Sequence, residues 1–324
     1  MYTRNKTLLL TVIILSVFCT NMVCWGQGII VFSLRGDTYM MHPEDAEPTL
    51  ISNELGSFTP SPNGRFLADT GRDIKEKNNL YIRHLHTGKK IRSLKLKANN
   101  RFDICWSPDG RWIVYASTPV FIRDQAVVSD THLISPDGEQ HKHLHEQVGK
   151  EPIGFVWAAD SRSIFYNSLT SGRRVEIWEL NINGKQNPKK HKPFYEGARL
   201  LSTYPTYEFS PNGEQIAYIS HEGLFVADID VANHRRVVDT EGFKLLYQVD
   251  WSPNGQHLVF SASKKIREDY GLYIFSFASK KVRPLITSQD NLPRRPRWVR
   301  DSWAVHPSNK MAMTWGAIKN ITER

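Results

Sequence analysis

The chain has 324 residues, of which 40% are hydrophobic, 11% aromatic and 23% charged, a composition typical of a globular protein with a large core. Its formal net charge is +9 at pH 7, but the basic residues are scattered along the sequence. Nucleic-acid binding needs a concentrated basic surface, so we expect no nucleic-acid partner.

The N-terminus has the pattern of an export signal. Arg4 and Lys6 precede an apolar run from Leu8 to Phe18, and Gly26 offers a small residue for cleavage. The run is shorter than the roughly 20 residues that a membrane-spanning helix needs. We predict a signal peptide over residues 1–26, a mature domain over residues 27–324 without a transmembrane segment, and a periplasmic or secreted location. An uncleaved anchor or a lipidated cysteine is the alternative.

Cysteine usage fits an exported chain without an internal disulfide. Cys19 and Cys24 lie within the predicted signal, so Cys105 would be the one cysteine of the mature chain. It lies in an apolar segment beside Trp106, and we predict a buried structural thiol.

The first segments after the signal have strand character. Ile29 to Ser33, Asp37 to His42 and Glu47 to Ser52 match the second, third and fourth strands of a four-stranded unit. The first strand of that unit is missing from the N-terminal part of the chain.

A repeated turn organises the rest of the chain. Its pattern is an aromatic residue, Ser-Pro-Asp/Asn-Gly and then an apolar strand, and it is clearest in the stretch from Cys105 to Ser117. Further copies begin at Ser61, Ser210 and Ser252, and a degenerate copy begins at Ala158. Proline, Asp/Asn and glycine in this order favour a type I turn. The copies recur at intervals of 42 to 52 residues, which is typical of propeller blades of four strands.

Two segments depart from this pattern. Ser135-Pro136-Asp137-Gly138 has the turn motif but is out of phase with the repeat, and we interpret it as the turn into a fourth strand. The basic segment from Lys189 to Lys192 is predicted to be an exposed loop, with a fourth strand near Pro193.

The C-terminal part supplies the missing strand. Pro296-Arg297-Trp298 resembles one more first strand, and Met311 to Trp315 adds further apolar residues. The sequence therefore predicts an all-β, six-bladed β-propeller that is closed by sharing one blade between its N- and C-terminal strands.

The repeat resembles the TolB-type β-propeller repeat, also called the WD40-like or PD40 repeat. The resemblance covers nearly all of the predicted mature chain and implies a fold rather than an activity. TolB also has an α/β domain before its propeller, whereas a strand is predicted here from Ile29. Prolyl oligopeptidase-type enzymes carry similar blades with a hydrolase domain, and this sequence lacks the Gly-x-Ser-x-Gly motif of that domain.

No established catalytic, phosphate-binding or metal-binding motif is found in the sequence. We therefore predict no catalytic residue, metal or cofactor. His141, His143 and His145 alternate, so a strand would place them on one face, where they could bind zinc or copper. We favour an exposed outer strand, because no acidic or cysteine ligand lies nearby in the sequence.

The best candidate site lies on the predicted first strands. Residues two and four positions before the turn include acidic and basic side chains, and alternation would place them near the central channel. The predicted ligand-binding residues are Asp103, Glu208, Asp250, Arg295 and Arg297. An internal network of salt bridges and hydrogen bonds is the alternative.

These observations favour an exported, non-enzymatic and monomeric binding scaffold for protein–protein interaction in the cell envelope. The expected partner is a protein or a peptide, and an anionic polysaccharide also fits the channel mouth. The alternative function is a polysaccharide lyase or hydrolase that acts there.

Overall fold

The structure is a computed structural model that describes residues 28–71, 79–96, 104–116, 128–148, 152–169, 175–183, 187–191, 206–230, 232–265, 268–289 and 291–301. In these ranges the chain forms 24 strands and no helix. Accordingly, no described segment is a helix long and apolar enough to cross a membrane.

The strands form six four-stranded antiparallel sheets, which are the blades of a propeller. The first three strands are β1 (Ile29–Leu34), β2 (Asp37–Met41) and β3 (Thr49–Ser52). Blade 1 contains β4 (Phe58–Pro60), β5 (Phe66–Asp69), β6 (Asn79–His84) and β7 (Lys90–Lys95). Blade 2 contains β8 (Ile104–Trp106), β9 (Ile113–Ala116), β10 (Val128–Ile134) and β11 (His141–Val148). Blade 3 contains β12 (Pro152–Trp157), β13 (Ser163–Leu169), β14 (Val175–Asn181) and β15 (Lys189–His191).

The remaining strands complete the ring. Blade 4 contains β16 (Tyr207–Phe209), β17 (Gln215–Ser220), β18 (Gly223–Asp228) and β19 (Arg235–Val238). Blade 5 contains β20 (Leu245–Trp251), β21 (His257–Lys265), β22 (Glu268–Ser276) and β23 (Lys281–Ser288). The last strand, β24 (Arg294–Val299), pairs with β1, so blade 6 has the order β24-β1-β2-β3. The predicted six-bladed, all-β fold is confirmed, and the chain closes its ring by joining both ends in one blade.

The repeated turn has the predicted hydrogen bonds. In blade 2 the Gly110 amide donates to the Ser107 carbonyl at 2.9 Å. The Ser107 hydroxyl donates to Asp109 Oδ1 at 2.6 Å and accepts from the Trp112 amide at 2.9 Å. Gly110 has φ of +74°, a conformation that glycine adopts without strain. The out-of-phase copy at Ser135 lies between β10 and β11, as predicted for the turn into a fourth strand.

The core lies between the blades. Ile104 and Trp106 of β8 pack in a cluster with Ala68 and Leu80 of blade 1. Cys105, on the opposite face of the same strand, packs in a cluster with blade 3. The two faces of an innermost strand therefore contact two different neighbouring blades, and the predicted buried thiol of Cys105 is part of one such contact.

Two local predictions were wrong. Lys189 to His191 is not a loop but the outer strand β15, in which Lys190 pairs with Glu176 at 2.6 Å. Lysine side chains suit an exposed edge strand, because they stay in water and discourage pairing with another chain. His141, His143 and His145 do not all share one face, because an irregularity pairs His143 with His132 but His145 with Thr131. Within the described ranges, no group of three or more His, Cys, Asp or Glu side chains is arranged to hold a metal ion.

Candidate functional site

A cavity of about 570 Å³ opens at the centre of the propeller, on the side where the repeated turns lie. We call it the funnel. Its rim is formed by the prolines of the turns, namely Pro62, Pro108, Pro211 and Pro253. Aromatic side chains form its wall, and these include Trp106, Trp157, Trp251 and Trp298. Because blades 1, 2, 4 and 5 contribute the same turn to the ring, the repeat itself builds much of this apolar opening.

The wall tryptophans are held by bonds between blades. The Trp157 indole N–H donates to the Cys105 carbonyl of blade 2 at 3.1 Å. In the same way, the Trp251 indole N–H donates to the Glu208 carbonyl of blade 4 at 3.0 Å. Both tryptophans are at least nine-tenths buried. Their rings are therefore fixed parts of the blade contacts and give the funnel a preformed wall.

An ion pair forms the floor of the funnel. Arg297 of blade 6 donates from Nη1 to Glu208 Oε2 of blade 4 at 2.5 Å. The pair therefore connects two blades that are not adjacent in the ring. Their side chains are 29% and 15% exposed, respectively. Burial raises the pKa of Glu208, while the Arg297 charge opposes that shift. The floor thus contains a charged pair with little access to solvent.

Asp250 is the second carboxylate of the floor. Its Oδ1 accepts the Trp251 amide at 2.9 Å, and its Oδ2 accepts the Trp298 amide of blade 6 at 2.7 Å. Burial and the nearby Glu208 charge raise the pKa of Asp250 to about 7. Asp250 therefore joins blades 5 and 6 and also lines the funnel.

A small chamber lies beyond the ion pair. It has a volume of about 40 Å³, and Glu208 and Arg297 line both it and the funnel. Its apolar wall has one first-strand residue from each blade: Phe58, Ile104, Phe155, Tyr207, Val249 and Pro296. The Glu208–Arg297 pair thus separates two compartments of the central channel.

The structure brings together three of the five predicted site residues. Glu208, Asp250 and Arg297 meet at the funnel floor. Arg295 lines the small chamber, where its amide donates to Gln248 Oε1 at 2.7 Å. Asp103 lies outside the described residues.

Polar residues of the first strands also form salt bridges and hydrogen bonds within the fold, which was the alternative interpretation of these residues from the sequence. Thr59 of blade 1, for example, accepts the Trp106 amide of blade 2 at 3.2 Å. Sequence reasoning missed the aromatic and proline wall, because these residues were interpreted only as parts of the repeated turn. Their repetition at one position in most blades was the signal that could have revealed it.

The fold and the funnel define a six-bladed, TolB-like β-propeller with a central cavity. The chain belongs to the family described as the dipeptidyl peptidase IV (DPP IV) N-terminal region, whose profile matches residues 69–318.

Two curated relatives cover different shares of their own lengths. An uncharacterized protein of Agrobacterium fabrum is 24% identical over 249 residues, which cover 72% of this chain and 78% of that protein. Dipeptidyl-peptidase 5 of Porphyromonas gingivalis is 25% identical over 197 residues, which cover 58% of this chain. The match spans only 21% of the dipeptidyl-peptidase.

Solved structures show the same fold at low sequence identity. TolB from Acinetobacter baumannii has a TM-score of 0.60 and 18% identity, with 84% of this chain and 66% of that chain covered. A putative TolB from Agrobacterium tumefaciens has a TM-score of 0.56 and 17% identity, with coverages of 82% and 90%. A chain of a nidogen/laminin complex has a TM-score of 0.58 and 12% identity, with coverages of 85% and 99%.

Proposed function

We propose that this chain is an exported, monomeric β-propeller that binds a protein or peptide partner in the funnel, in the periplasm or outside the cell. The observation that supports this proposal is the funnel itself, which has a rigid apolar wall and a few polar groups at its floor. Ligand sites in proteins commonly have this composition. The proline side chains at the rim are exposed or half-buried, and they offer contact area that loses little conformational entropy on binding.

Export is supported by the N-terminal sequence. Arg4, Lys6 and the apolar run to Phe18 have the order of a signal peptide, with cleavage expected after Gly26. N-terminal sequencing of exported protein should therefore begin at Gln27, and a sequence beginning at Met1 would contradict cleavage.

A binding role suits the floor better than a catalytic one. The two carboxylates and the guanidinium there already accept or donate hydrogen bonds within the fold. These bonds hold the three groups in fixed positions at the floor, and the bonds from Asp250 to Trp298 and from Arg297 to Glu208 also join different blades. The likeness to TolB and to a chain of a nidogen/laminin complex supports the proposal, since a propeller of this shape also occurs in a named assembly.

A charge reversal at the rim tests the proposal. Arg300 is exposed and lines the funnel, whereas Arg236 is exposed on the outer strand β19. Immobilised mature protein should capture a partner from envelope extracts, Arg300→Glu should change the amount captured, and Arg236→Glu should leave it unaltered. Equal capture by both variants would contradict binding in the funnel.

The enzymatic alternative has a separate readout. A lyase or hydrolase acting at the channel mouth would release unsaturated or reducing ends from anionic polysaccharides, and wild-type protein should release neither. If the wild-type protein released such ends and Arg300→Glu reduced their release, the result would favour the enzymatic function instead.

A further inference from the structure

The funnel floor has more buried negative charge than positive charge. Glu208 and Asp250 are carboxylates, and the Arg297 guanidinium is the cation that acts on both of them. Another carboxylate near the opening, Asp109, is paired at 2.6 Å with Arg111 at the surface. With all groups ionised, the described side chains of the floor therefore carry two carboxylate charges and one guanidinium charge, and Arg300, the other cation that lines the funnel, is exposed at the rim.

Burial makes this imbalance costly. Charged groups removed from water are stabilised mainly by opposite charges and hydrogen bonds nearby. Glu208 and Asp250 share one guanidinium, and the pKa of each is raised above its ordinary value, chiefly by burial. A second cation at the floor would stabilise both carboxylates, whereas an added anion would increase the repulsion.

The tryptophan wall suits the aliphatic part of a lysine or arginine side chain. The indoles of Trp106, Trp157 and Trp251 surround the approach to the floor. Lysine and arginine lay their aliphatic parts along apolar surfaces and keep the charge at the tip. Their charges are also attracted to the faces of aromatic rings.

We propose that the partner inserts one lysine or arginine side chain into the funnel, where its charge pairs with Glu208 and Asp250 and its aliphatic part packs against the tryptophan wall. This inference rests on the proposed peptide binding in the funnel and adds the chemistry of the anchoring residue. The net charge of +9 on the chain would slow the approach of a basic segment, so affinity comes from contacts at the floor rather than from long-range attraction.

The pairing has a pH dependence of defined sign. The floor groups are Glu208, Asp250 and Arg297, with the thiol of Cys105 beside the guanidinium. Because a cation binds the ionised carboxylate, affinity should rise as the pH increases through the pKa of Asp250, which is about 7. A neutral ligand of the same shape should show a much smaller change.

The test uses an array of random, end-blocked heptapeptides probed with the mature protein. Bound peptides should be enriched in lysine and arginine, and the strongest lysine peptide is then compared by calorimetry with its norleucine and arginine versions. Norleucine should weaken binding about ten-fold or more, and arginine should weaken it by less than about three-fold.

Variants of the protein locate the effect. Glu208→Gln and Asp250→Asn should each weaken the lysine peptide several-fold and leave the norleucine peptide nearly unchanged. Glu214→Gln, at an exposed turn position outside the funnel, is the matched control. Two floor variants are used so that one remains available if the other does not fold.

The outcomes separate this inference from the function on which it rests. Peptides that lack basic residues but compete with one another for the funnel would overturn the proposed lysine anchor. Such a result would still support peptide binding in the funnel. An array without any bound peptide would contradict both. Equal affinity for the lysine and norleucine peptides would overturn the proposed charge pairing.

Discussion

At the residue scale, the repeated tryptophan connects packing with the funnel. Trp157 and Trp251 each fill an inter-blade cluster and donate an indole N–H to the preceding blade. The repeat has an aromatic residue directly before the turn at both positions. It did not predict their indole hydrogen bonds, because the acceptors are backbone carbonyls more than 40 residues away.

Removal of this ring should destabilise the fold. Trp157→Ala should lower the free energy of unfolding by roughly 3–5 kcal/mol, since it leaves a cavity in a closely packed cluster. Trp157→Phe keeps most of the ring and loses the indole hydrogen bond, so its cost should be clearly smaller. Urea denaturation of both variants measures the difference, and an unchanged midpoint for Trp157→Ala would show that the ring does not support the blade contact.

The turn glycine gives a second prediction at this scale. Gly110→Val should cost roughly 1–3 kcal/mol, because a branched residue resists the positive φ at this position. A side chain there would have room, since the nearest atoms to an added Cβ lie 3.9 and 4.0 Å away. Arg111→Ala removes only a surface ion pair and should cost less than about 1 kcal/mol. Equal melting temperatures for the two variants would contradict the turn geometry.

Asp250 should make stability depend on pH. Its pKa is raised to about 7 in the folded state from an ordinary value of 3.8. Between these values the folded state retains a proton that the unfolded state has released, so stability should fall as the pH rises. Glu208 and Asp69 shift in the same direction, and His257 shifts in the opposite one.

Urea denaturation at pH 5 and pH 8 isolates the Asp250 contribution. The wild type should lose stability between the two, and the loss should be smaller in Asp250→Asn, in which the other groups still titrate. The same loss in both proteins would assign the pH dependence to other groups.

At the element scale, most strands could be predicted because the turn motif fixed their register. The predictions failed where local sequence and tertiary context disagreed. Lys189 and Lys190 have a polar, loop-like pattern, but they complete blade 3 by pairing with β14. The histidines of β11 alternate in sequence, yet the irregularity in the pairing with β10 changes which side His145 faces. A bulge of this kind depends on the partner strand and leaves no clear signal in one segment.

The closing strand β24 provides the prediction at this scale. Its register with β1 pairs Trp298 with Ile30 and Val299 with Ile29. A chain ending at residue 293 would lack this strand and expose the unpaired edge of β1, together with apolar residues that Trp298 now covers. It should unfold without a cooperative transition or self-associate.

The full mature chain is the control, because it keeps β24 and should remain monomeric with a cooperative transition. Met311 to Trp315, which were expected to add to the closure, lie outside the described residues. Identical melting curves and masses for the truncated chain and the full mature chain would contradict closure by β24.

At the scale of the whole molecule, the sequence predicted the ring but not its opening. Blade number, blade sharing and the meeting of Glu208 with Arg297 follow from the repeat and from alternation along the first strands. The funnel could not be predicted, because its shape depends on how far the turns of different blades lie from one another. The sequence positions of Asp250 and Glu208 also could not show their different contacts. Asp250 joins blades 5 and 6, whereas Glu208 pairs with Arg297 across the channel.

Photo-crosslinking in intact cells is the most direct test of binding in the funnel. A photoreactive phenylalanine analogue replaces Pro108 or Pro211 at the funnel rim in one set of proteins. In the control set it replaces Leu50 on β3 or Ile91 on β7, which are exposed on outer strands. If the partner binds in the funnel, the rim positions should give a discrete crosslinked partner, which Glu208→Gln weakens, and the outer strands should give none. Crosslinks from the outer strands alone would contradict it.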